Sequence, residues 1–259
     1  METQLEIKNL SKQFGGIIAV NDLSINVRER EIIGVIGPNG AGKTTFFNLI
    51  TGFYSSDHGN IFLEGSDLCG LPPHRITKAG IARTFQNIRL FPWMTVLDNV
   101  IVARQVKCSG GFIQACLRTP FIKREEEATK KKAEEILCHF QLQNKWHYQA
   151  KNLPYGEQRK LEIARALATE PKVLLLDEPT AGMNPAESRD CVELIFNLNE
   201  TLGITILLIE HNMNVVMGIS DKVVVLDHGL KIAEGLPEEI QNNKDVIKAY
   251  LGEDYANHA

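Results

Sequence analysis

A glycine-rich segment at residues 37–44 has the residue types and the spacing that bind phosphate groups. It reads Gly-Pro-Asn-Gly-Ala-Gly-Lys-Thr and fits the pattern G-x-x-x-x-G-K-[ST] without a mismatch. Glycines let the backbone curl so that successive N–H groups point at one phosphate, and a following helix adds its positive N-terminal end. In such a loop we expect Lys43 to reach the β- and γ-phosphates of a nucleotide and the Thr44 hydroxyl to bind Mg²⁺. An apolar strand before the segment and a helix after it favour this interpretation over a chance turn.

Two acidic residues directly follow an apolar run further along the chain. The four apolar residues at 173–176 are typical of a parallel strand that is covered on both faces. Ligands of open α/β sheets collect at the carboxyl ends of such strands, so Asp177 is expected to face the phosphate loop. One carboxylate can hold Mg²⁺ and the next can activate a water for attack on the γ-phosphate. We assign these roles to Asp177 and Glu178 respectively, because without the phosphate loop the pair would indicate only a helix cap or a solvated turn.

The elements that must position these residues follow an α/β pattern with a helical interruption. Short apolar runs at 5–27 predict antiparallel strands, and an apolar strand at 31–36 leads through the glycine loop into a helix at 43–51. Residues 95–142 are mostly helical in pattern, after which strands and helices alternate again. The sequence therefore predicts an α/β core that is interrupted by a helical insertion.

The composition is that of an ordinary globular chain, and it argues against several classes of protein. The net charge of −4 over 259 residues gives no basic excess that would indicate nucleic acid binding. No apolar run approaches the roughly 20 residues that span a bilayer, and the first residues do not form a signal peptide. Five cysteines without CxxC spacing favour reduced thiols over a disulfide framework or a zinc site. Any action at a membrane would then require docking onto another protein.

The order of the motifs resembles that of the ABC ATPase family. Residues 153–158, Leu-Pro-Tyr-Gly-Glu-Gln, precede an amphipathic helix and are similar to the family's signature loop, which reads roughly L-S-G-G-Q. The other matches, in chain order, are the adenine-stacking aromatic at Phe14, the Walker A loop at 37–45, the Q-loop at Gln86, the Walker B strand at 173–178, the D-loop at 181–184 and the switch histidine at His211. Each match alone has a plain structural explanation, but their joint order along nearly the whole chain is specific.

The resemblance implies that the chain binds MgATP and hydrolyses it to ADP and phosphate. The residues that it assigns to ATP are Phe14, Gly37, Pro38, Asn39, Gly40, Ala41, Gly42, Lys43, Thr44, Thr45, Gln86, Tyr155, Gly156 and Glu157. The residues that it assigns to catalysis are Glu178, His211 and Lys43, and those that it assigns to Mg²⁺ are Thr44, Gln86 and Asp177.

The family's mechanism implies a head-to-tail pair of ATPase subunits with ATP held between them. The Walker A loop of one subunit and the signature loop of the other hold the same ATP, so Gly156 and its neighbours would serve the partner's ATP. His211 would contact the γ-phosphate and orient the attacking water, and Gln86 would sense Mg²⁺ and link closure to the membrane subunit. Two departures from the family pattern bear on this role, since Pro154 replaces the signature serine and Tyr155 replaces a glycine.

The same resemblance implies the fold class and its subdivision. We expect an α/β fold, a P-loop NTPase (RecA-like) core with an antiparallel β subdomain and an inserted ABC helical subdomain. The expected bounds are 1–92 and 158–235 for the nucleotide-binding core, 93–157 for the helical subdomain with the signature loop, and 236–259 for a C-terminal helical tail.

Several segments are similar to the larger ATP-binding subunit of branched-chain amino-acid importers. They include residues 82–91 around the Q-loop, the Tyr-Gly form of the signature, residues 177–185, residues 210–221 and the ending at 245–252. The implied partners are integral-membrane permease subunits, a second ABC ATPase subunit and, indirectly, a solute-binding protein, with no nucleic acid. The implied place is the cytoplasm, peripheral on the inner face of the cell membrane.

Three alternatives remain open at this stage. Urea or amide importers use sister subunits, and the substrate never touches the ATPase. A soluble ABC ATPase of translation or DNA repair is disfavoured, because the chain has one cassette, a short insertion and an acidic balance. A regulatory cassette that does not hydrolyse ATP is disfavoured by the intact Lys43, Asp177, Glu178 and His211.

Overall fold

The computed structural model describes residues 2–107 and 120–251. Its strands are β1 (Thr3–Phe14), β2 (Ile17–Arg28), β3 (Ile32–Ile36), β4 (His58–Leu63), β5 (Ser66–Asp67), β6 (Ile81–Arg83), β7 (Val173–Asp177), β8 (Thr205–Ile209), β9 (Lys222–Asp227) and β10 (Leu230–Gly235). Its α-helices are α1 (Lys43–Ile50), α2 (Pro73–Ala79), α3 (Val96–Arg104), α4 (Pro120–His139), α5 (Tyr155–Leu167), α6 (Pro185–Leu202), α7 (Met213–Ile219), α8 (Pro237–Gln241) and α9 (Lys244–Leu251). Short 3₁₀ turns lie at 105–107, 143–145 and 150–152.

The amino-terminal strands form an antiparallel sheet in the order β2-β1-β4-β5. Along β1, Leu5 and Ile7 are buried while Glu6 and Lys8 are more exposed, which is the alternation of a sheet with one covered face. The covered face packs against α1 and the central sheet in one apolar cluster. The antiparallel layer thus lies over the helix that follows the phosphate loop.

The central sheet has six strands in the order β10-β9-β3-β8-β7-β6. Every residue of β3, β7 and β8 is buried, because helices and the antiparallel layer cover both faces. The strands from β9 to β6 run parallel, and β10 joins the edge as an antiparallel hairpin through the turn at 228–229. The carboxyl ends of β3, β8, β7 and β6 therefore lie in a row at one edge of the sheet.

The helical insertion packs as a bundle against the signature helix. Helix α3 contacts α4 and α5, and its N-cap Thr95 accepts a hydrogen bond from the backbone N–H of Asp98. Ala133, Ile136 and Leu137 bury one face of α4 in the same apolar cluster as α5 and the sheet. The predicted subdomain bounds, 93–157 and 236–259, include residues 108–119 and 252–259, which lie outside the described residues.

The predicted α/β fold with a P-loop NTPase core is confirmed. Within residues 2–107 and 120–251, no helix combines the length and the apolar character that crossing a membrane requires. The cysteines of the described part, Cys69, Cys138 and Cys191, are unpaired.

Candidate functional site

The phosphate loop connects β3 to α1 through glycines in conformations that other residues rarely adopt. Gly40 and Gly42 have φ angles of 81° and 100°. A Cβ on Gly42 would lie 2.2 Å from the carbonyl oxygen of Ala19, so this position has no room for a side chain. The loop can therefore turn back on itself and place its N–H groups at the N-terminal end of α1.

Lys43 begins α1 and lies folded back against its own loop. Its ammonium donates to the carbonyl oxygens of Gly37, at 2.7 Å, and of Pro38, at 2.9 Å. Burial lowers the pKa of Lys43, and the nearby carboxylates of Glu178 and Asp177 only partly oppose that shift. The cation is thus short of compensating negative charge, which the phosphates of a nucleotide would supply.

The Glu178 carboxylate contacts two side chains that follow other strands of the central sheet. Its Oε2 accepts a hydrogen bond from the Gln86 side-chain amide at 3.0 Å, and its Oε1 lies 2.9 Å from Nε2 of His211. Its backbone φ of 47° lies in the left-handed region, which residues with a side chain adopt uncommonly. Since β6, β7 and β8 are neighbours in the sheet, residues 92 and 33 positions from Glu178 reach one carboxylate.

Asp177, the last residue of β7, is paired with a buried arginine. Its Oδ2 accepts from the Arg83 guanidinium at 2.7 Å, and both side chains are nearly inaccessible. The same guanidinium donates to the Asn48 side chain on α1 at 2.7 Å. The pair fixes the end of β7 to β6 and to the helix of the phosphate loop.

A cavity of about 540 Å³ lies between the phosphate loop and these strand ends. Its lining residues are Ile17, Ile18, Ala19, Asn39, Gly40, Ala41, Gly42, Lys43, Thr44, Thr45, Gln86, Glu178 and His211. The structure thus brings together, around one cavity, most of the residues that the sequence assigned to phosphate and catalysis. Ile17, Ile18 and Ala19 were not predicted, because their position at the start of β2 gave no signal of a site.

The predicted magnesium ligands suit a hard cation that also binds phosphate oxygens. Thr44 offers a hydroxyl, Gln86 an amide oxygen and Asp177 a carboxylate, all of which are oxygen donors that Mg²⁺ prefers. Within residues 2–107 and 120–251, no three His, Cys, Asp or Glu side chains form a metal cluster. Thr44 and Gln86 line the cavity, whereas the Asp177 carboxylate is paired with Arg83.

Phe14 lies at the end of β1, beside the cavity wall formed by the start of β2. Its ring is about two-fifths exposed and meets the Tyr54 ring edge-on, with 5.1 Å between centroids. An exposed aromatic face is the type of surface on which a purine base stacks. The role of Phe14 as the adenine contact stays a prediction.

The signature residues lie apart from the phosphate cavity. Pro154 is the N-cap of α5, and the Tyr155 hydroxyl donates to the carbonyl oxygen of Ala181 at 3.0 Å. Both carboxylate oxygens of Glu157 lie within 2.7 Å of the Lys145 ammonium. Gly156 is buried, and a Cβ there would touch the Glu187 carboxylate at 3.4 Å. Tyr155, Gly156 and Glu157 do not line the phosphate cavity of the described chain.

A buried arginine joins the signature helix to the Q-loop. Arg159 is fully buried and donates to the carbonyl oxygens of Phe85, at 2.6 Å, and of Gln86, at 2.8 Å. It also pairs with Glu162 at 2.7 Å, and that carboxylate accepts the backbone N–H of Arg89. Burial raises the pKa of Glu162, against the opposing effects of the Arg89 N–H and the Arg159 charge. Sequence reasoning missed this pair, since an Arg and a Glu three positions apart are typical of a solvated helix face.

Comparison with protein families gives two matches. Residues 20–181 match the model of the ABC transporter family, and residues 231–256 match that of the branched-chain amino acid ATP-binding cassette transporter. The first match covers more than half of the chain and includes the phosphate loop, the Q-loop, the signature and the β7 carboxylates. The second covers β10 from its second residue, together with α8 and α9.

Similar proteins and structures span nearly the full chain. A high-affinity branched-chain amino acid transport ATP-binding protein, LivG of Salmonella typhimurium, is 49% identical over 96% of this chain and 98% of its own length. A protein of the same description, BraF of Pseudomonas aeruginosa, is 46% identical over the same shares. The ADP conformation of an ATP-binding cassette of an ABC transporter aligns with a TM-score of 0.84 at 33% identity, covering 98% of this chain and 100% of that one. A dimeric post-hydrolysis cassette bound to ADP and phosphate aligns with a TM-score of 0.75 at 26% identity, over 90% and 98% of the two chains.

Proposed function

The chain belongs to the ABC transporter family, as an ATP-hydrolysing subunit, and we propose that it drives the uptake of branched-chain amino acids through separate permease subunits. The observation that carries the catalytic part is the convergence of Gln86 and His211 on the Glu178 carboxylate beside the phosphate loop. The substrate is supported by the printed functions of the similar LivG and BraF proteins and by the carboxyl-terminal match at 231–256.

In this proposal the chain's own groups bind the nucleotide and orient the attacking water. Lys43 leaves the two loop carbonyls and donates to the β- and γ-phosphates, which relieve its uncompensated charge. Thr44, Gln86 and Asp177 would hold Mg²⁺, which when bound neutralises charge on the phosphates. Phe14 stacks on the adenine.

Glu178 acts as the general base for the attacking water, and His211 orients that water and contacts the γ-phosphate. Both are poised for this without rearrangement of the sheet, because they already share a hydrogen bond at the mouth of the cavity. The Glu178 side chain is only 15% exposed, so its carboxylate is largely shielded from competing solvent. To hold the metal, Gln86 would have to give up its hydrogen bond to Glu178.

The proposed partners follow from the position of the signature loop, which lies apart from the phosphate cavity of the same chain. Gly156 and its neighbours lie outside this chain's phosphate cavity, so they would serve the ATP of a second ATPase subunit in a head-to-tail pair. The permease subunits would hold the pair on the inner face of the cell membrane, and a solute-binding protein would deliver the amino acid. The domain bounds, 1–92 with 158–235, 93–157 and 236–259, stay part of this proposal.

The first test is ATP hydrolysis by the purified subunit and its Glu178→Gln variant, with ATP binding measured separately. Gln keeps the shape of the side chain but cannot take a proton, so we expect turnover to fall by about 10²–10⁴-fold while ATP affinity is retained. Glu200→Gln, an exposed carboxylate on α6, is the matched control and should hydrolyse ATP like the wild type. Equal turnover in wild type and Glu178→Gln would contradict the assigned general base.

Identification of the transported substrate requires the assembled transporter in vesicles. Uptake of labelled leucine, isoleucine and valine is measured beside uptake of urea and a short amide, each with its solute-binding protein. We expect ATP-dependent uptake of the amino acids, abolished by Glu178→Gln. Uptake of urea or the amide instead would support the sister transporters, and ATP hydrolysis that neither the permease subunits nor any transported substrate stimulates would favour a non-transport ATPase.

A further inference from the structure

The Tyr155 hydroxyl makes a contact that none of the assigned roles uses. It donates to the carbonyl oxygen of Ala181 at 3.0 Å, and the two residues lie 26 positions apart in the chain. The Tyr155 ring packs over Gly182, whose φ of 76° favours glycine and where a Cβ would lie 3.4 Å from the ring. The signature loop is thus held, through one side chain, against the segment that follows Glu178.

That segment is in turn fixed to the catalytic residues of the same chain. The backbone N–H of Ala181 donates to the carbonyl oxygen of Glu178 at 3.1 Å. Glu210, which is 3% exposed, accepts from the backbone N–H and the hydroxyl of Thr180, at 2.8 and 2.6 Å. Its other oxygen accepts the backbone N–H of His211 at 3.2 Å. Hydrogen bonds therefore connect Glu178 and His211 to the segment whose Ala181 carbonyl accepts from Tyr155.

We propose that Tyr155 is a positioning residue that couples the signature loop to this chain's own phosphate cavity. Nucleotide that binds in the cavity contacts Glu178 and His211. The hydrogen bonds through Glu210 and Thr180 then shift Ala181. The Tyr155 hydroxyl, which donates to Ala181, transmits that shift to residues 153–157. The inference rests on the proposed head-to-tail pairing, in which those residues serve the partner's ATP. Occupancy of one site would thereby set the geometry that is offered to the other.

The direct test uses the isolated full chain and hydrogen exchange of its backbone amides, with and without MgADP. MgADP is chosen because it fills this chain's cavity but lacks the γ-phosphate that a partner's signature loop would contact. In the wild type we expect exchange to change in the phosphate loop, in residues 178–183 and in residues 153–157. In Tyr155→Phe, which removes only the hydroxyl, the response at 153–157 should be lost while that of the phosphate loop is retained. One hydrogen bond accounts for a change of about two- to tenfold in those exchange rates.

A second readout separates positioning from a structural role. In the assembled transporter, Tyr155→Phe should lower the kcat for ATP by about two- to tenfold, with the KM unchanged. The melting temperature and the ADP affinity of the isolated chain should stay at the wild-type values, because Tyr155 is 44% exposed and the substitution leaves no buried gap. Tyr148→Phe is the matched control: its ring is 55% exposed, and no side-chain hydrogen bond is recorded for it in the described chain, so it should match the wild type in each assay.

Three results would overturn the inference. The first is a wild type with no exchange response at 153–157, and the second is a Tyr155→Phe variant that keeps the full response. The third is a kcat of that variant that falls only together with its melting temperature or ADP affinity. Failure of the proposed function would be seen elsewhere, as a wild-type chain whose phosphate loop does not respond to MgADP or whose assembled transporter does not hydrolyse ATP.

Discussion

The phosphate cavity and the signature helix are each braced by a buried arginine–carboxylate pair, but the pairs hold different things. Arg83 joins Asp177, at the end of β7, to the helix of the phosphate loop, so this pair connects elements that all belong to the phosphate site. Arg159 joins Glu162 to the backbone of the Q-loop, so the brace connects two separate regions. The first pair stabilises the phosphate site of this chain. The second fixes the signature helix to the Q-loop, so that the two are held in one relative position.

The difference indicates where each region can be changed without affecting the other. Residues of the cavity act on the nucleotide that this chain binds. Residues of the signature helix act on the Q-loop and, in our proposal, on the nucleotide of a partner. Substitutions in the two regions should therefore separate nucleotide affinity from stability and coupling.

The largest effect is expected for Arg159→Met. The substitution leaves Glu162 buried without its cation and removes the donors to the Phe85 and Gln86 carbonyls, so the free energy of unfolding should fall by about 3–5 kcal/mol. The measurement is chemical denaturation of the isolated chain. A loss below about 1 kcal/mol, the value of an exposed ion pair, would show that the buried pair does not brace the helix.

Lys43→Met should have the next largest effect, on affinity rather than on folding. The ammonium is lost from the phosphate site, and hydrogen bonds to charged groups are worth about 1.5–3 kcal/mol, so ATP affinity should fall by about ten- to a hundredfold. Affinity is measured by titration of a fluorescent ATP analogue. Lys78→Met, an exposed lysine on α2, is the control and should bind like the wild type. Unchanged affinity in Lys43→Met would contradict the assigned phosphate contact.

The two regions also differ in how far the sequence predicted them. Lys43, Gln86, Glu178 and His211 were assigned from motifs, and the structure places them around one cavity because their strands are neighbours in the sheet. The roles of these residues remain predictions, but their convergence follows from a rule of parallel sheets that sequence reasoning can apply.

The two arginine–carboxylate pairs could not be predicted from the sequence, because each arginine binds groups that are distant in the chain. Arg83 and Asp177 lie 94 positions apart, and Arg159 reaches carbonyls more than 70 positions away. An arginine in a polar helix is ordinarily solvated, whereas this one is buried against the Q-loop backbone and Glu162. The contact of Tyr155 with Ala181 could not be predicted from the sequence either. The resemblance to the family shows only that Tyr155 stands where the signature loop ordinarily has a glycine.

A smaller effect is expected at Asn184, which is the last residue of the D-loop and the N-cap of α6. Its side chain accepts the backbone N–H groups of Ala186 and Glu187, and the Glu187 carboxylate accepts the Asn184 N–H in return. Asn184→Ala should lower the free energy of unfolding by about 1 kcal/mol, since a polar N-cap is worth about that much. Asn184→Asp keeps the cap and should match the wild type in the same denaturation experiment. A loss in the Asp variant as large as that in Ala would show that the cap is not the source of the effect.

The smallest effect is expected for Lys145→Met, which removes the same charge as Arg159→Met from the same region. The Lys145 and Glu157 side chains are 37% and 29% exposed, so water screens the pair and its loss should cost less than about 1 kcal/mol. The cost should shrink further when the ionic strength is raised from about 0.01 M to about 1 M, because the screening length falls about tenfold. The arginine variant should not respond to salt in this way, since its pair is shielded from the solvent. If Lys145→Met were as destabilising as Arg159→Met, or equally insensitive to salt, burial would not be what distinguishes the brace of the signature helix from an ordinary surface ion pair.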